Sequence, residues 1–321
     1  MRTVCVTRPY PGEMPIPDAR IVVGPKEGLR ERAAMHAFLR EHSPHALVTM
    51  FHDPVDAEAL DAAGEQLRVV CNFAVGYDNI DLDECERRGV VVCNTPDAVT
   101  EGTADIAFLL MLAAARRLKE ADDYARSAEY PKNGYLGMDD FLGLHLSGRT
   151  LLIVGAGRIG YATALRGIGW GMRTLYVARS RHVEFEIAPL SAERIDLDEG
   201  LERADFVSVH TPLTKDTRHL IDERRLRLMK PTSVIVNTAR GPVIEEAALV
   251  KALREGWIFG AGLDVYEFEP KPGAELIAQK RAILTPHIGS ASRKHRELMT
   301  TMVGENVTAA LEGRRPANRI R

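Results

Sequence analysis

The sequence predicts an α/β protein of two doubly wound domains, each built on a mostly parallel sheet. Three observations lead there. The chain has 321 residues, more than one compact domain usually holds. Short apolar runs alternate with helix-compatible segments along most of its length, the pattern of parallel strands joined by helical crossovers. In the middle, the apolar run at 151–154 leads straight into Gly155-x-Gly157-x-x-Gly160.

Taken in order, residues 2–7, 19–23, 46–49, 67–71 and 90–93 read as strands, since they are short and rich in apolar and β-branched residues. A helix is expected at 26–40, where Leu29, Ala33, Ala37 and Phe38 share one side, with shorter ones at 57–63 and 82–88. The loop at 73–80 follows a strand C-terminus, where open α/β sheets bind ligands. Its Gly76 would let a small anion reach backbone N–H groups, although an ordinary strand-to-helix turn reads equally well. Pro96 and Asp97 are turn formers that close this half.

Residues 100–119 read as one helix, apolar nearly all round and therefore buried on more than one face. Such a helix suits a connection between domains and a contact with a second subunit. Residues 120–149 are turn-rich. Beyond the glycines, helical composition at 161–168 and a strand at 174–177 close a βαβ unit of about 30 residues. Further strands follow at 206–210, 233–237, 260–265 and 282–285, with helices near 223–229 and 245–255. The helix expected at 292–311 returns to the first domain. The organisation is thus a substrate domain, 1–98 plus 289–321, with a dinucleotide-binding domain, 99–288, inserted in it.

Composition narrows the partners. A formal net charge of −3 and a pI near 6.4 argue against nucleic acid and against an anionic membrane surface. No apolar run approaches the ~20 residues that span a bilayer, and the first residues carry no leader signal, so a cytoplasmic location is expected. Cys5, Cys71, Cys85 and Cys93 have neither metal-ligand spacing nor the density of a disulfide framework; no metal is expected.

The spacing of the glycines has a physical reason. Gly155 permits a tight turn, Gly157 lets a pyrophosphate approach the backbone, and Gly160 lets helix and strand pack closely. The intervening Ala156, Arg158 and Ile159 place N–H groups at a helix N-terminus, which attracts phosphate. The fold is therefore Rossmann-like. Cofactor choice is read about 20 residues further on, where NAD sites carry an acid for the ribose hydroxyls. Here the chain reads Ala178-Arg179-Ser180-Arg181. No carboxylate repels a 2′-phosphate, and two guanidiniums and a hydroxyl are at hand, so NADP(H) is preferred, with NAD(H) possible.

Polar residues fall at strand C-termini of the second domain: His210, Arg240, Asp264, Glu269 and His287. Singly each has a plain structural reading. Together they suit carbonyl reduction, which needs a cation for a carboxylate and an acid for the developing alkoxide. Arg240 offers a planar two-donor fork. A histidine can exchange a proton near neutral pH, and a carboxylate beside it would fix its orientation.

Ordered motifs extend this reading. Asn72-Phe-Ala-Val-Gly-Tyr-Asp-Asn-Ile-Asp81, Glu101-Gly-Thr-Ala-Asp105, Val209-His-Thr-Pro-Leu-Thr214, Asn237-Thr-Ala-Arg-Gly-Pro242, Gly262-Leu-Asp-Val-Tyr-Glu-Phe-Glu-Pro270 and Thr285-Pro-His-Ile-Gly-Ser290 together resemble the D-isomer-specific 2-hydroxyacid dehydrogenase family, over almost the whole chain. Within it the chain is most similar to glyoxylate/hydroxypyruvate reductases. The resemblance implies two doubly wound domains with a cleft between them. It implies Arg240 as substrate anchor, His287 as acid/base and Glu269 as its partner, with Val75 and Gly76 binding the substrate carboxylate through backbone N–H. Thr103, His210, Thr211, Pro212, Thr238, Ala239, Arg240, Asp264, His287 and Gly289 would line the cofactor. A homodimer, paired through the long helix and the loop after it, is also implied. Phe51 and His52 depart from the small or aliphatic residues that similar reductases place at the substrate, which leaves the 2-oxo acid open. A larger 2-oxo acid, D-3-phosphoglycerate or phosphite are the alternatives, and behind them a non-catalytic dinucleotide-sensing protein.

Overall fold

The computed structural model describes residues 1–29 and 31–321. By internal contact it divides into Met1–Val99 with Ser290–Arg321, and Thr100–Gly289. The first unit begins β1 Arg2–Val6, β2 Ala19–Val23, α1 Arg32–His42, β3 Ala46–Met50, α2 Ala57–Ala63, β4 Val69–Phe73, α3 Leu82–Arg87 and β5 Val91–Cys93. Its sheet has the order β2-β1-β3-β4-β5, with every pairing parallel. The strands are apolar at successive positions because both faces are covered: Val4, Val48 and Cys71 pack on one side, Cys5, Leu47 and Val70 on the other. Asp56 and Asp81 start α2 and α3 by accepting hydrogen bonds from the N–H groups of Ala59 and Glu84, at 3.2 and 2.9 Å.

The helix expected at 26–40 starts later than the periodicity suggests. Gly28 has φ of 76° and closes a turn onto the Pro25 carbonyl, a conformation a right-handed helix cannot contain. Arg30, inside that expected helix, lies outside the described residues. All four cysteines are free and buried. Burial pushes the thiols of Cys5 and Cys93 up to about 12 and that of Cys85 to about 11, so they stay protonated and unreactive.

The second unit runs α4 Thr100–Ala115, α5 Leu118–Arg126, α6 Glu129–Asn133, β6 Thr150–Val154, α7 Arg158–Gly169, β7 Arg173–Val177, α8 Val183–Glu186, β8 Glu193–Arg194, α9 Leu197–Arg203, β9 Phe206–Val209, α10 Glu223–Leu226, β10 Val234–Asn237, α11 Glu246–Glu255, β11 Gly260–Leu263, α12 Ala274–Ile277 and β12 Ala282–Leu284. Its seven strands lie in the order β12-β11-β10-β9-β6-β7-β8, all parallel. The order reverses between β6 and β9, and doubly wound sheets bind ligands at that point.

The single helix expected at 100–119 is instead two. Arg117 is left-handed, with φ of 54°, and the Ala115 carbonyl accepts a hydrogen bond from Leu144 (2.8 Å) rather than continuing the helical ladder. The segment after it, read as turns, contains α5 and α6. α4 is buried on several sides against α7 and the β10–β12 strands. Leu110 sits so close to β11 that a Cβ on Gly262 would lie 2.7 Å from its Cβ. The last helix, α13 Arg293–Leu311, belongs to the first unit, where Thr300 donates to the Pro11 carbonyl at 2.7 Å and Asn306 to the Asn94 carbonyl at 3.3 Å. Among the described residues, no helix is long and apolar enough to cross a membrane.

Candidate active site

At the C-terminal ends of β6, β7 and β9 the second unit opens a pocket of about 1190 Å³. The glycine turn forms its floor. Gly155 has φ of 106°, and a Cβ there would lie 2.8 Å from the His210 carbonyl oxygen, so only glycine lets the ends of β6 and β9 meet. A Cβ on Gly160 would lie 2.9 Å from Ile153 Cγ2, so this glycine lets α7 settle onto β6. A Cβ on Gly157, by contrast, would meet nothing within 4 Å, because it would project into open pocket. Gly157 is also the residue from which α7 starts, so the positive end of the helix dipole lies beside that space.

Of the cofactor residues read from the sequence, Gly155, Ala156, Gly157, Arg179, Ser180, Arg181, His210, Thr211 and Pro212 line this pocket, whereas Arg158, Ile159 and Gly160 do not. Thr211 Oγ1 is buried without a hydrogen-bond partner among the described residues, an orphan that a bound polar group would satisfy. An open helix N-terminus, an orphan hydroxyl and a basic rim together fit a pyrophosphate-bearing dinucleotide. His210 adds no charge. Desolvation pushes its imidazole down to about 3, and its Nε2 lies 2.8 Å from Ser208 Oγ.

At the rim, Arg181 Nε donates to Glu186 Oε2 (2.6 Å) and the Tyr176 hydroxyl donates to Glu186 Oε1 (2.7 Å). These two bonds hold the Glu186 carboxyl below its ordinary value. Arg194, on the two-residue strand β8, also lines the pocket and donates through Nη2 to the carbonyls of Ala178 and Arg179, each at 3.0 Å. Sequence reading missed Arg194, since no periodicity marks so short a strand.

A second cluster follows β10, β11 and β12. Asp264 is 1% exposed, and its carboxylate accepts from Thr285 Oγ1 (2.7 Å), Ile288 N (2.8 Å) and Gly289 N (2.8 Å). Burial raises its carboxyl, opposed by those same hydrogen bonds. Asp264 therefore ties down the loop that carries His287. Gly289 is close by, where a Cβ would lie 3.1 Å from Thr103 Oγ1, so Thr103, Asp264 and Gly289 are neighbours. His287 is left-handed (φ 53°), and its N–H reaches the carbonyls of Asp264 and Thr285 at 2.9 and 3.0 Å. Its Nδ1 lies 2.8 Å from Glu269 Oε1. A carboxylate only accepts, so Nδ1 carries the hydrogen in this contact.

Glu269 is itself held from outside. The Glu246 carboxylate accepts from Glu267 N (3.2 Å) and Gly273 N (2.8 Å), bracketing the loop on both sides of Glu269, while Glu267 Oε2 accepts from Glu246 N (2.9 Å). Glu267 is nearly buried and lies 2.6 Å from His219 Nε2. Gly241, next to Arg240, abuts the same loop: a Cβ there would overlap the Tyr266 carbonyl and lie 2.5 Å from Glu267 N. Asn237 fixes this turn, its Nδ2 donating to the Arg240 carbonyl (2.9 Å) and its Oδ1 accepting from Ala239 N (3.0 Å). Arg240 Nη1 donates to the Ala239 carbonyl at 2.8 Å. Thr238 Oγ1 is buried with no partner among the described residues.

In the first unit, Phe51 and the pair Val75 and Gly76 occupy loops after the neighbouring strands β3 and β4. Asparagines join the loops. Asn79 Nδ2 donates to the carbonyls of Met50 (3.1 Å) and Asp53 (2.8 Å), and Asn72 Nδ2 to the Gly76 carbonyl (2.9 Å). Asn94 Nδ2 takes the Val75 carbonyl at 2.8 Å, so both carbonyls of the Val75-Gly76 turn are satisfied from within the unit. The Phe51 ring meets that of His52 edge-on at 4.8 Å.

Comparison with known proteins gives one consistent result. Residues 108–289 match the model of the D-isomer specific 2-hydroxyacid dehydrogenase NAD-binding domain. A glyoxylate reductase of Thermococcus onnurineus is 53% identical over 272 residues, covering 84% of this chain and 81% of that one. Among solved structures, a protein from Thermus thermophilus superposes with a TM-score of 0.90 at 41% identity, covering 99% of this chain and all of that one. An NADPH-dependent glyoxylate/hydroxypyruvate reductase from Sinorhizobium meliloti superposes with a TM-score of 0.83 at 30% identity, over 100% and 98% of the two chains.

Proposed function

Since the chain belongs to the D-isomer specific 2-hydroxyacid dehydrogenase family and is thereby an oxidoreductase, we propose that it reduces a small 2-oxo acid, glyoxylate or hydroxypyruvate, to the D-2-hydroxy acid. The observation that carries this reading is the 2.8 Å contact between His287 Nδ1 and Glu269, on a loop tied down by Asp264. Glu269 orients the imidazole, and Nε2–H gives a proton to the carbonyl oxygen as negative charge develops there. Arg240 holds the substrate carboxylate with its fork of donors. The backbone N–H groups of Val75 and Gly76 serve a carboxylate in the same way. Hydride comes from the nicotinamide when the dinucleotide is bound. Hydride and proton together account for both hydrogens added to the carbonyl.

NADP(H) is the preferred cofactor in this reading, with NAD(H) possible. What supports it is the end of β7, where Ala178 stands in place of an acid and arginines surround the turn. The Thermococcus relative, a glyoxylate reductase, supports the substrate, and the Sinorhizobium relative, an NADPH-dependent glyoxylate/hydroxypyruvate reductase, supports both substrate and cofactor. A homodimer through α4 and the segment after it is also proposed, because Tyr135, Met138 and Leu142 are 98%, 93% and 61% exposed there and such apolar exposure favours association.

Initial rates with glyoxylate, hydroxypyruvate, phenylpyruvate and 2-oxoisocaproate, each with NADPH and NADH, test the proposal. Fast turnover of the two small acids, better with NADPH, is expected. Turnover confined to the larger acids would move the substrate assignment, and no turnover with any of them would overturn the reading. A monomeric mass in light scattering would remove the dimer.

A further inference from the structure

We infer that Arg194 and Arg179, rather than the sequence-adjacent pair Arg179 and Arg181, form the site for the 2′-phosphate of the dinucleotide. The inference rests on the NADP(H) reading above and specifies which cations perform it. The pocket rim holds three arginines near the end of β7, and what separates them is how much of each charge is already taken. Arg181 is engaged: its Nε is 2.6 Å from Glu186, and that carboxylate is fixed in turn by the Tyr176 hydroxyl at 2.7 Å. A guanidinium with a carboxylate already on it presents little net charge to a phosphate, and drawing it away would leave Glu186 facing the anion.

Arg194 differs. Its hydrogen bonds run from Nε and Nη2 to the carbonyls of Ala178 and Arg179, which orient the fork under the turn without cancelling its charge. Glu193, the adjacent acid, is withdrawn by a two-pronged pairing with Arg203, at 3.0 and 2.8 Å. Glu186 is within Coulombic reach of Arg194 but carries its two bonds elsewhere. Asp196, the remaining acid beside it, stands at the N-terminus of α9, where the helix dipole stabilises it. Arg179 is exposed and makes no side-chain ion pair among the described residues. The two uncancelled charges are therefore Arg179 and Arg194, joined through the Arg179 carbonyl. A phosphomonoester dianion there would gain charge-assisted bonds from both, and a ribose hydroxyl would gain far less.

The test is direct binding by titration calorimetry of NADPH, NADH and adenosine 2′,5′-bisphosphate to the whole enzyme and to Arg194→Ala, Arg194→Lys, Arg179→Ala and Arg181→Ala. Arg194→Ala is expected to weaken NADPH and the bisphosphate by about 10- to 100-fold, the scale of a lost charge-assisted bond, while NADH changes less than about twofold. Arg194→Lys should recover part of the loss, and Arg181→Ala should weaken NADPH less than about threefold. Unchanged NADPH affinity in Arg194→Ala would overturn the inference. So would equal weakening of NADPH and NADH, which is the mark of a turn disturbed rather than a phosphate lost. If the wild-type enzyme bound NADPH no better than NADH, the cofactor reading itself would fall, a result distinguishable from either.

Discussion

Gly241→Ala probes how tightly the acid/base pair is positioned, without touching either partner. Gly241 adjoins Arg240 and packs against the loop carrying Glu269, where an added Cβ would overlap the Tyr266 carbonyl and lie 2.5 Å from Glu267 N. Both neighbours are backbone, so no side-chain rotation relieves the contact. Carbon needs roughly 3.5 Å and the nearest backbone atom would be 1.8 Å away, so the two segments must part by well over about 1 Å. The loop cannot yield locally, because Glu246 brackets it at Glu267 and Gly273. The displacement passes instead to Glu269 and Arg240. A misplacement of about 1 Å costs on the order of 10²-fold in rate, and the overpacking costs about 1–3 kcal/mol of stability. The assay is kcat for glyoxylate with saturating cofactor, alongside a thermal melt and a cofactor titration. The expected result is a kcat about 100-fold down in a protein that still folds and binds dinucleotide. A kcat within about twofold of wild type would refute the positioning argument, since the geometry leaves no room for the methyl without movement of that loop.

Other changes should separate the remaining contributions. Glu246→Ala removes the bracket on the Glu269 loop and should lower kcat by about tenfold or more with cofactor affinity unchanged, while Glu246→Gln, which keeps one acceptor oxygen, should fall between; equal kcat in all three would dismiss the bracket. Arg240→Lys keeps the charge but loses the fork, so the KM for glyoxylate should rise about tenfold or more, and an unchanged KM would argue against carboxylate anchoring. His210→Asn tests a half-buried neutral imidazole on the pocket wall. Its folded value is depressed to about 3, so its contribution is full above the unfolded value near 6.5 and is lost as pH falls below it. Wild type should therefore lose up to about 2 kcal/mol in all between pH 6.5 and 4.5 relative to the variant; parallel denaturation midpoints over that range would contradict it.

The glycine turn was legible because its three glycines answer to separate steric demands, two of them visible as near-collisions at Gly155 and Gly160 and the third as open space above Gly157. Strand positions were legible because sheets covered on both faces need continuous apolar runs, with ends shifted by a residue or two. The break after α4 was not, since Arg117 adopts a left-handed conformation that its residue type does not announce. Nor was Arg194, because β8 has only two residues and the partners of Arg194 are backbone carbonyls at the end of β7. The Glu246 bracket was hidden for a similar reason: it joins α11 to a loop 21 residues away through backbone N–H groups, which leave no trace in the side-chain pattern.

The most direct test of the account is the single-turnover rate of glyoxylate reduction by His287→Ala with NADPH bound at saturation. The account predicts a fall of about 10²- to 10⁴-fold, the usual contribution of a positioned general acid, with NADPH affinity unchanged. A single-turnover rate equal to that of the wild-type enzyme would contradict it, and with it the roles given to Glu269 and to the loop that Asp264 holds.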